Sequence, residues 1–145
     1  MLKVLIVEDD ILIADMLEDF LFSQNYDVCG SARGVAEAVR LANEHKPDLA
    51  IMDYRLAHGE YGSHIRPLLD DKTTMGILYV SGDPLENTLT AVDGDAYLQK
   101  PYGLQELCCA LQVIHEMKCG SPSALPLPKG MVILQKPAPK AWQPA

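Results

Sequence analysis

Five polar side chains in this 145-residue chain directly follow short, mainly apolar runs, and their types suit the binding of a cation and a phosphoryl group. They are Glu8 and Asp9 after residues 4–7, Asp53 after 49–52, Ser81 after 77–80, and Lys100 after 96–99. Such runs are typical of buried parallel strands. Because the carboxyl ends of parallel strands meet at one edge of a sheet, where open α/β sheets bind ligands, we expect these side chains to lie together.

The predicted cluster combines three carboxylates with a hydroxyl and an ammonium group. Carboxylates crowded at one edge repel one another unless a cation lies between them, and hard oxygen ligands suit Mg²⁺. Beside a cation, Asp53 stays ionised and can act as a nucleophile toward phosphorus. Ser81 and Lys100 would then stabilise the added negative charge. A single aspartate at a strand end is often only a cap or turn residue, so the prediction rests on the joint pattern.

Alternating strands and helices must position these side chains. Strands are predicted at about 2–7, 26–31, 48–53, 76–80 and 95–99. Helices are predicted at about 10–24, 34–45, 62–71, 84–92 and 103–118. This alternation predicts a doubly wound α/β domain with a five-stranded parallel sheet.

Composition narrows the classes of function. A net charge of −8 argues against direct binding of nucleic acid, which depends on neutralising phosphates. No apolar stretch approaches the roughly 18 residues of a membrane span, and the chain enters a strand without room for a signal peptide. The four cysteines match neither a disulfide framework nor a zinc site. We therefore expect a cytoplasmic protein with reduced thiols.

The composition changes after residue 118, where we place the end of the folded domain. Residues 119–145 form an extension that contains six of the ten prolines and three lysines with no acid. Such a composition favours a largely extended or disordered segment. The apolar patch 131–134 breaks the pattern. It is expected either to dock on the acidic domain or recruit a partner, or to be disordered with the rest of the tail.

Four motifs resemble those of a known family of signalling domains. They are Val7-Glu8-Asp9-Asp10, Met52-Asp53-Tyr54-Arg55-Leu56, Val80-Ser81-Gly82 and Tyr97-Leu98-Gln99-Lys100-Pro101. Together they resemble the receiver domain of two-component response regulators over about residues 1–118. The resemblance implies a CheY-like, flavodoxin-like (βα)5 fold with strand order 2-1-3-4-5. It also implies a cis peptide bond between Lys100 and Pro101.

The resemblance further implies a role for each residue of the cluster. Asp53 would be the phosphoacceptor, and the donor a phosphohistidine on a sensor histidine kinase or a histidine phosphotransfer protein. Lys100 would bind the phosphoryl group, Ser81 would be the switch hydroxyl, and Tyr97 the aromatic side chain that moves with it. The implied Mg²⁺ ligands are Glu8, Asp9, Asp53 and the backbone carbonyl of Arg55.

The signal is expected to leave through the face of the fourth helix, the fifth strand and the fifth helix, where a local charge change biases a two-state element. No second globular domain is expected after residue 118. Output would therefore pass through a downstream protein, a phosphorylation-dependent homodimer, or the tail. Such a protein is a self-catalysing phosphoacceptor and not a classical enzyme.

Two alternatives remain beside this interpretation. A phosphohydrolase of the haloacid-dehalogenase type needs a second acid two residues after the nucleophile, where this chain has Arg55. A receiver-like scaffold that works without phosphorylation is opposed, but not excluded, by the intact set of polar residues. Glu8 and Ser81 replace the commoner Asp and Thr of the family and keep the chemistry, whereas the loop 57–62 lacks the frequent proline.

Two charged residues flank the predicted site beyond the shared set. Arg55 lies two residues after Asp53, and Asp83 lies two residues after Ser81. The resemblance places both at the mouth of the site, where attacking water must enter. We expect them either to form an ion pair that restricts water geometrically or to remain two separate solvated charges.

Overall fold

Six strands and three helices make up the α/β architecture in the described part of the computed structural model, which comprises residues 1–71, 74–121 and 126–137. The strands are β1 (Lys3–Val7), β2 (Asp27–Ala32), β3 (Leu49–Asp53), β4 (Gly76–Ser81), β5 (Ala96–Gln99) and β6 (Met131–Ile133). The helices are α1 (Ile11–Ser23), α2 (Val35–His45) and α3 (Leu104–Lys118). The six strands form one sheet in the order β2-β1-β3-β4-β5-β6. The predicted flavodoxin-like fold and the order 2-1-3-4-5 are thus confirmed.

The sheet register brings the ends of the central strands level with one another. β3 is buried along its whole length and lies between β1 and β4. Val7 is aligned with Met52, and Asp53 is aligned with Val80. The acids that follow β1 therefore lie beside the end of β3.

The core has two layers, one on each side of the sheet. The first layer packs α1 and α3 on the sheet, with Leu17, Leu21, Leu107 and Leu111 fully buried. The second layer contains Ala38 and Ala42 of α2, together with buried side chains from irregular segments before and after β4. Apolar side chains on both faces explain why the central strands are continuous hydrophobic runs. Among the described residues, no helix has the length and apolar character needed to cross a bilayer.

The predicted third helix over 62–71 is wrong. Residues Gly62–His64 and Arg66–Leu68 form two short 3₁₀ turns, and the chain is extended at Leu69. Pro67 has no N–H to donate within a helix, and its ring disfavours helical backbone at the preceding residue. The segment is nevertheless anchored, because Ile65 and Leu69 are buried.

The predicted fourth helix over 84–92 is also wrong. One turn forms where Leu89 N donates to Leu85 O at 2.8 Å, and it does not continue. The amide of Thr90 donates instead to Asp93 Oδ2 at 2.9 Å, and the amide of Val92 donates to Thr90 Oγ1 at 3.3 Å. Side-chain acceptors of this kind compete with helical hydrogen bonds, and Thr and Val have weak helix propensity.

The sheet has one strand more than the five that the sequence predicts. β6 pairs antiparallel with β5, so the apolar patch in the tail docks on the sheet edge. The prediction that the signal leaves through a face of the fourth helix, the fifth strand and the fifth helix is therefore wrong in its first element. Next to β5 the structure has β6, and the segment 82–95 takes the place of a helix. Residues 138–145 lie outside the described residues.

Candidate functional site

An acidic cluster lies at the carboxyl ends of β1 and β3. Glu8, Asp9 and Asp53 each offer one carboxylate oxygen, and the three oxygens lie within 4.8 Å of one another. Glu8 and Asp53 are buried, and Asp9 is half-buried. The backbone N–H of Asp10 donates to Glu8 Oε1 at 3.2 Å, which holds that carboxylate toward the cluster. Asp10 also caps α1 with its own side chain, so the start of the helix is tied to the site.

The electrostatics of the cluster favour a bound cation. Burial, together with the charge of Asp53, raises the pKa of Glu8 to about 7. The Asp10 amide and Lys100 lower the pKa of Glu8, but by less than burial and Asp53 raise it. The nearby protein groups thus compensate only part of the negative charge of the cluster. A divalent cation would favour the ionised carboxylates. A set of hard oxygen donors fits Mg²⁺, the ion that the sequence predicts here.

Lys100 supplies the positive charge of the site. Its Nζ lies 3.1 Å from Asp53 Oδ2, close enough for both a hydrogen bond and an ion pair. The Lys100 backbone N–H donates to Ser81 O at 2.8 Å, which joins the ends of β4 and β5. The peptide bond from Lys100 to Pro101 is cis, as the resemblance implied.

Ser81 ends β4 beside the acidic cluster. It is buried, and it follows Val80, the residue aligned with Asp53 in the sheet. Its Oγ accepts a hydrogen bond from the backbone N–H of Asp83 at 3.0 Å. The hydroxyl is thereby tied to the turn that leads into the segment 82–95.

The mouth of the site carries an ion pair. Arg55 Nη2 lies 3.1 Å from Asp83 Oδ2, so the two residues form an ion pair and are not separate solvated charges. Both side chains are about two-thirds exposed, at 68% and 63%. An exposed pair of this kind contributes about 0–1 kcal/mol to stability, so its position is more informative than its energy.

Tyr97 lies on β5, between Tyr79 of β4 and Val132 of β6. Its side chain is packed in the second core layer. Burial, followed by a hydrogen bond with the carboxylate of Glu86, raises the pKa of Tyr97 to about 12. The structure therefore connects Tyr97 to the segment 82–95, which also receives the Ser81 contact.

Gly62 and Tyr102 are site residues that sequence reasoning missed. A Cβ atom on Gly62 would lie 2.5 Å from the carbonyl oxygen of Asp53, so only glycine fits against the end of β3. Sequence analysis placed Gly62 at the end of the loop 57–62 but gave no sign of this close approach. Burial raises the pKa of Tyr102 to about 12, and the charges of Glu8 and Asp53 add to the effect. The feature of the sequence that could have identified Tyr102 as a site residue is its position two residues after Lys100.

An exposed apolar surface adjoins the site. Leu12 on α1 is 80% exposed and Met16 is 47% exposed. Met16 also lines an open groove with Ile13 and residues 100–104, which includes the lysine of the site. Apolar side chains grouped at the rim of a polar site are typical of a surface that meets another protein.

Comparison with known proteins identifies similar chains. A family profile described as response regulator receiver domain matches residues 4–112. The transcriptional regulatory protein PdtaR of Mycobacterium tuberculosis is 33% identical over 115 residues, which cover 77% of this chain and 55% of the relative. The regulatory protein VanR of Enterococcus faecium is 34% identical over 108 residues, or 72% of this chain and 46% of the relative. The chain thus spans about half the length of these curated relatives.

Solved structures share the fold. The signal receiver domain of a modulated diguanylate cyclase from Desulfovibrio desulfuricans G20, described as an example of alternate folding, has a TM-score of 0.71 and 30% identity. That match covers 82% of this chain and 97% of the other. A CheY-like receiver domain protein from Methanospirillum hungatei JF-1 has a TM-score of 0.73 at 24% identity, with coverages of 83% and 98%. The second match supports the fold alone.

Proposed function

Because this chain belongs to the response regulator receiver domain family, we propose that Asp53 accepts a phosphoryl group from a phosphohistidine and later releases it to water. The observation that supports this most directly is the 3.1 Å contact between Lys100 Nζ and Asp53 Oδ2, within a cluster of three carboxylates. One carboxylate there can be the nucleophile, while the ammonium group meets the charge that it acquires.

The proposed reaction has two steps. In the first, a carboxylate oxygen of Asp53 attacks phosphorus, a P–O bond forms, and the P–N bond to the donor histidine breaks. The histidine nitrogen keeps the electron pair and takes up a proton. In the second, the oxygen of a water molecule attacks the same phosphorus atom and the P–O bond to Asp53 breaks. Asp53 keeps the electron pair as a free carboxylate, and inorganic phosphate is released with the oxygen from water while a proton passes to solvent. Both steps depend on positioning and charge stabilisation.

Different residues of the chain would bind the phosphoryl group and the metal ion. Lys100 is placed to pair with a phosphoryl oxygen, since it already lies beside Asp53. The hydroxyl of Ser81 would donate a hydrogen bond to another oxygen. Glu8, Asp9, Asp53 and the backbone carbonyl of Arg55 would hold Mg²⁺. The ion, when bound, would offset the repulsion between the carboxylates and the phosphoryl group.

The partners are proposed from the surroundings of the site. A phosphohistidine must be presented by another protein, such as a sensor histidine kinase or a histidine phosphotransfer protein. The exposed side chains of Leu12 and Met16 beside the site offer an apolar contact for that protein. Phosphorylation would then change the binding of a downstream protein. The chain would act as a signalling switch whose only chemistry is its own phosphorylation and dephosphorylation.

Intact mass spectrometry tests this proposal. The protein is incubated with Mg²⁺ and acetyl phosphate, and we expect the wild type to gain the mass of one phosphoryl group. Asp53→Asn should gain none, because the nucleophilic oxygen is replaced by an amide. Asp15→Asn, which changes an exposed acid on α1, is the matched control and should behave like the wild type. A wild type that never gains mass would favour the scaffold that works without phosphorylation.

A further inference from the structure

The tail segment 130–135, which we call the strap, binds the edge of β5 through its backbone. Three residue pairs join the two strands: Ala96 with Ile133, Tyr97 with Val132, and Leu98 with Met131. Hydrogen bonds continue beyond both ends of the ladder. Gln99 N donates to Gly130 O at 2.9 Å, and Leu134 N donates to Asp95 O at 3.0 Å. The strap thus covers a strand edge that would otherwise present unpaired backbone groups.

Side chains of the strap close the core on both faces of the sheet. Met131 is 6% exposed and belongs to the layer of α1 and α3. Leu134 is 5% exposed and belongs to the opposite layer, together with Leu85 and Leu89. Successive side chains of a strand point to opposite faces of the sheet, which explains why Met131 and Leu134 enter different layers. The strap is therefore a fitted part of the fold, held by only a few residues.

Packing between the strap and the segment 82–95 is incomplete. Ala91 N donates to Gln135 O at 2.9 Å, which links the two segments directly. A cavity of about 290 Å³ nevertheless lies between them, lined by Glu86, Leu89, Thr90 and residues 132–137. The cavity leaves space for the segment 82–95, which is not helical, to shift against the strap.

The strap contacts the residues that would report the state of Asp53. Gln99, which bonds to Gly130, directly precedes Lys100. Tyr97 pairs with Val132 and lies in the same core layer as Leu85 of the segment 82–95. Ser81 opens the segment that ends at the strap contacts of Ala91 and Asp95. Lys100 is thus one residue from a strap contact, whereas the segment that follows Ser81 reaches the strap ten residues later, at Ala91.

We propose that the strap is a displaceable occupant of the β5 edge, and that phosphorylation of Asp53 loosens it. This inference rests on the proposed phosphorylation. A hydroxyl of Ser81 that turns to a phosphoryl oxygen carries its Oγ away from the amide of Asp83, the contact that now anchors the turn after β4. Release of that turn would shift the segment 82–95 and weaken its bond to Gln135. The opened edge would be the output surface of the switch.

Amide hydrogen exchange tests the coupling in the full chain. We expect acetyl phosphate with Mg²⁺ to speed exchange at residues 131–134 at least about fivefold, which is the lower end of usual coupling between sites. The amides of β3 should be unaffected, since they lie in the centre of the sheet. Asp53→Asn, treated in the same way, should show no change at the strap.

Intact mass, measured on the same samples, distinguishes failure of the strap proposal from failure of the proposed phosphorylation. A phosphorylated protein with unchanged exchange at the strap would overturn the strap proposal and leave the proposed phosphorylation standing. A protein that never gains a phosphoryl group would overturn both.

Reciprocity supplies a second test, because a strap that phosphorylation loosens must in turn oppose the phosphorylated state. Beryllium trifluoride with Mg²⁺ is the equilibrium probe, as a mimic of the phosphoryl group. Leu134→Ala removes the buried contact of the strap and should bind the probe at least about fivefold more tightly than the wild type. Leu127→Ala changes a leucine of the same tail that is 50% exposed, and should bind it like the wild type. Equal affinity in the two variants would contradict the proposal.

Discussion

The Arg55–Asp83 ion pair is the residue-scale feature that distinguishes the entrance of this site. The pair spans the two segments that leave β3 and β4, one carrying Asp53 and the other Ser81. Its free-energy contribution is about 0–1 kcal/mol, because both side chains are largely exposed. Its effect on water that approaches a phosphoryl group would therefore be geometric, with little consequence for stability.

Arg55→Ala should change the half-life of phosphorylated Asp53 by opening this entrance. The binding of Mg²⁺ should be nearly unchanged, since the ligand expected from Arg55 is its backbone carbonyl. The half-life is measured by intact mass after the donor is removed, and Mg²⁺ affinity by titration. Arg40→Ala, which breaks the exposed pair with Glu44 on α2, is the matched control. An identical half-life in both variants would show that the ion pair does not limit access of water.

At the scale of elements, Tyr79 explains how the chain between β4 and β5 is held without a helix. Its buried ring packs against Gly94, where a Cβ atom would lie 2.5 Å from Tyr79 Cε2. The hydroxyl donates to Asp93 O at 2.8 Å. A tyrosine of β4 thus fixes the return of the chain to β5.

Stability in alkali should depend on Tyr79. Burial raises the pKa of its hydroxyl well above the ordinary value of 10, so the folded chain holds this proton more tightly than the unfolded chain. The resulting stabilisation is complete below about pH 10 and is lost as the pH rises further, by up to about 1.4 kcal/mol per pH unit for one proton. Tyr79→Phe should lose less stability over that range.

Urea unfolding at pH 7 and above pH 10 measures this difference. At pH 7 the variant should be less stable by about 0.5–1.5 kcal/mol, because a half-buried carbonyl loses its donor. Parallel losses of the two proteins in alkali would mean that other groups govern the titration.

At the scale of the whole molecule, negative charge is concentrated in the domain that must hold the acidic cluster. The chain has a net charge of −8, and residues 119–145 contain lysines but no acid. The cluster adds local repulsion: burial raises the pKa of Glu8 to about 7, and the charge of Asp53 adds to that effect. The folded state should therefore gain stability from any cation that binds the cluster and not the unfolded chain.

Mg²⁺ should raise the melting temperature of the protein. At about 100 times its dissociation constant, a ligand of the folded state adds about 2.7 kcal/mol, which is several degrees for a chain of this size. Asp9→Asn should lose most of this gain, yet melt higher than the wild type in a chelator because one repelling charge is gone. Asp15→Asn should respond to Mg²⁺ like the wild type. A full Mg²⁺ effect in Asp9→Asn would place the ion elsewhere.

The sequence by itself determined the five parallel strands and the residues at their ends. A buried parallel strand needs apolar side chains on both faces, so β1, β3 and β4 are visible as continuous runs, and Asp53 is conspicuous because it ends one. The long amphipathic helices are visible for the same reason, since one apolar face must meet the sheet.

Only the tertiary structure decided the segments whose hydrogen bonds go to distant partners. A helix was predicted at 84–92, but the amides of Thr90 and Val92 bond to nearby side chains, and the amide of Ala91 bonds to the distant carbonyl of Gln135. The patch 131–134 could dock or remain free, and its docking depends on a β5 edge that no local pattern reveals. The closeness of Gly62 to Asp53 is likewise a contact between separate segments. Local propensity reports the cost of a conformation, whereas long-range pairing decides which conformation is lowest in free energy.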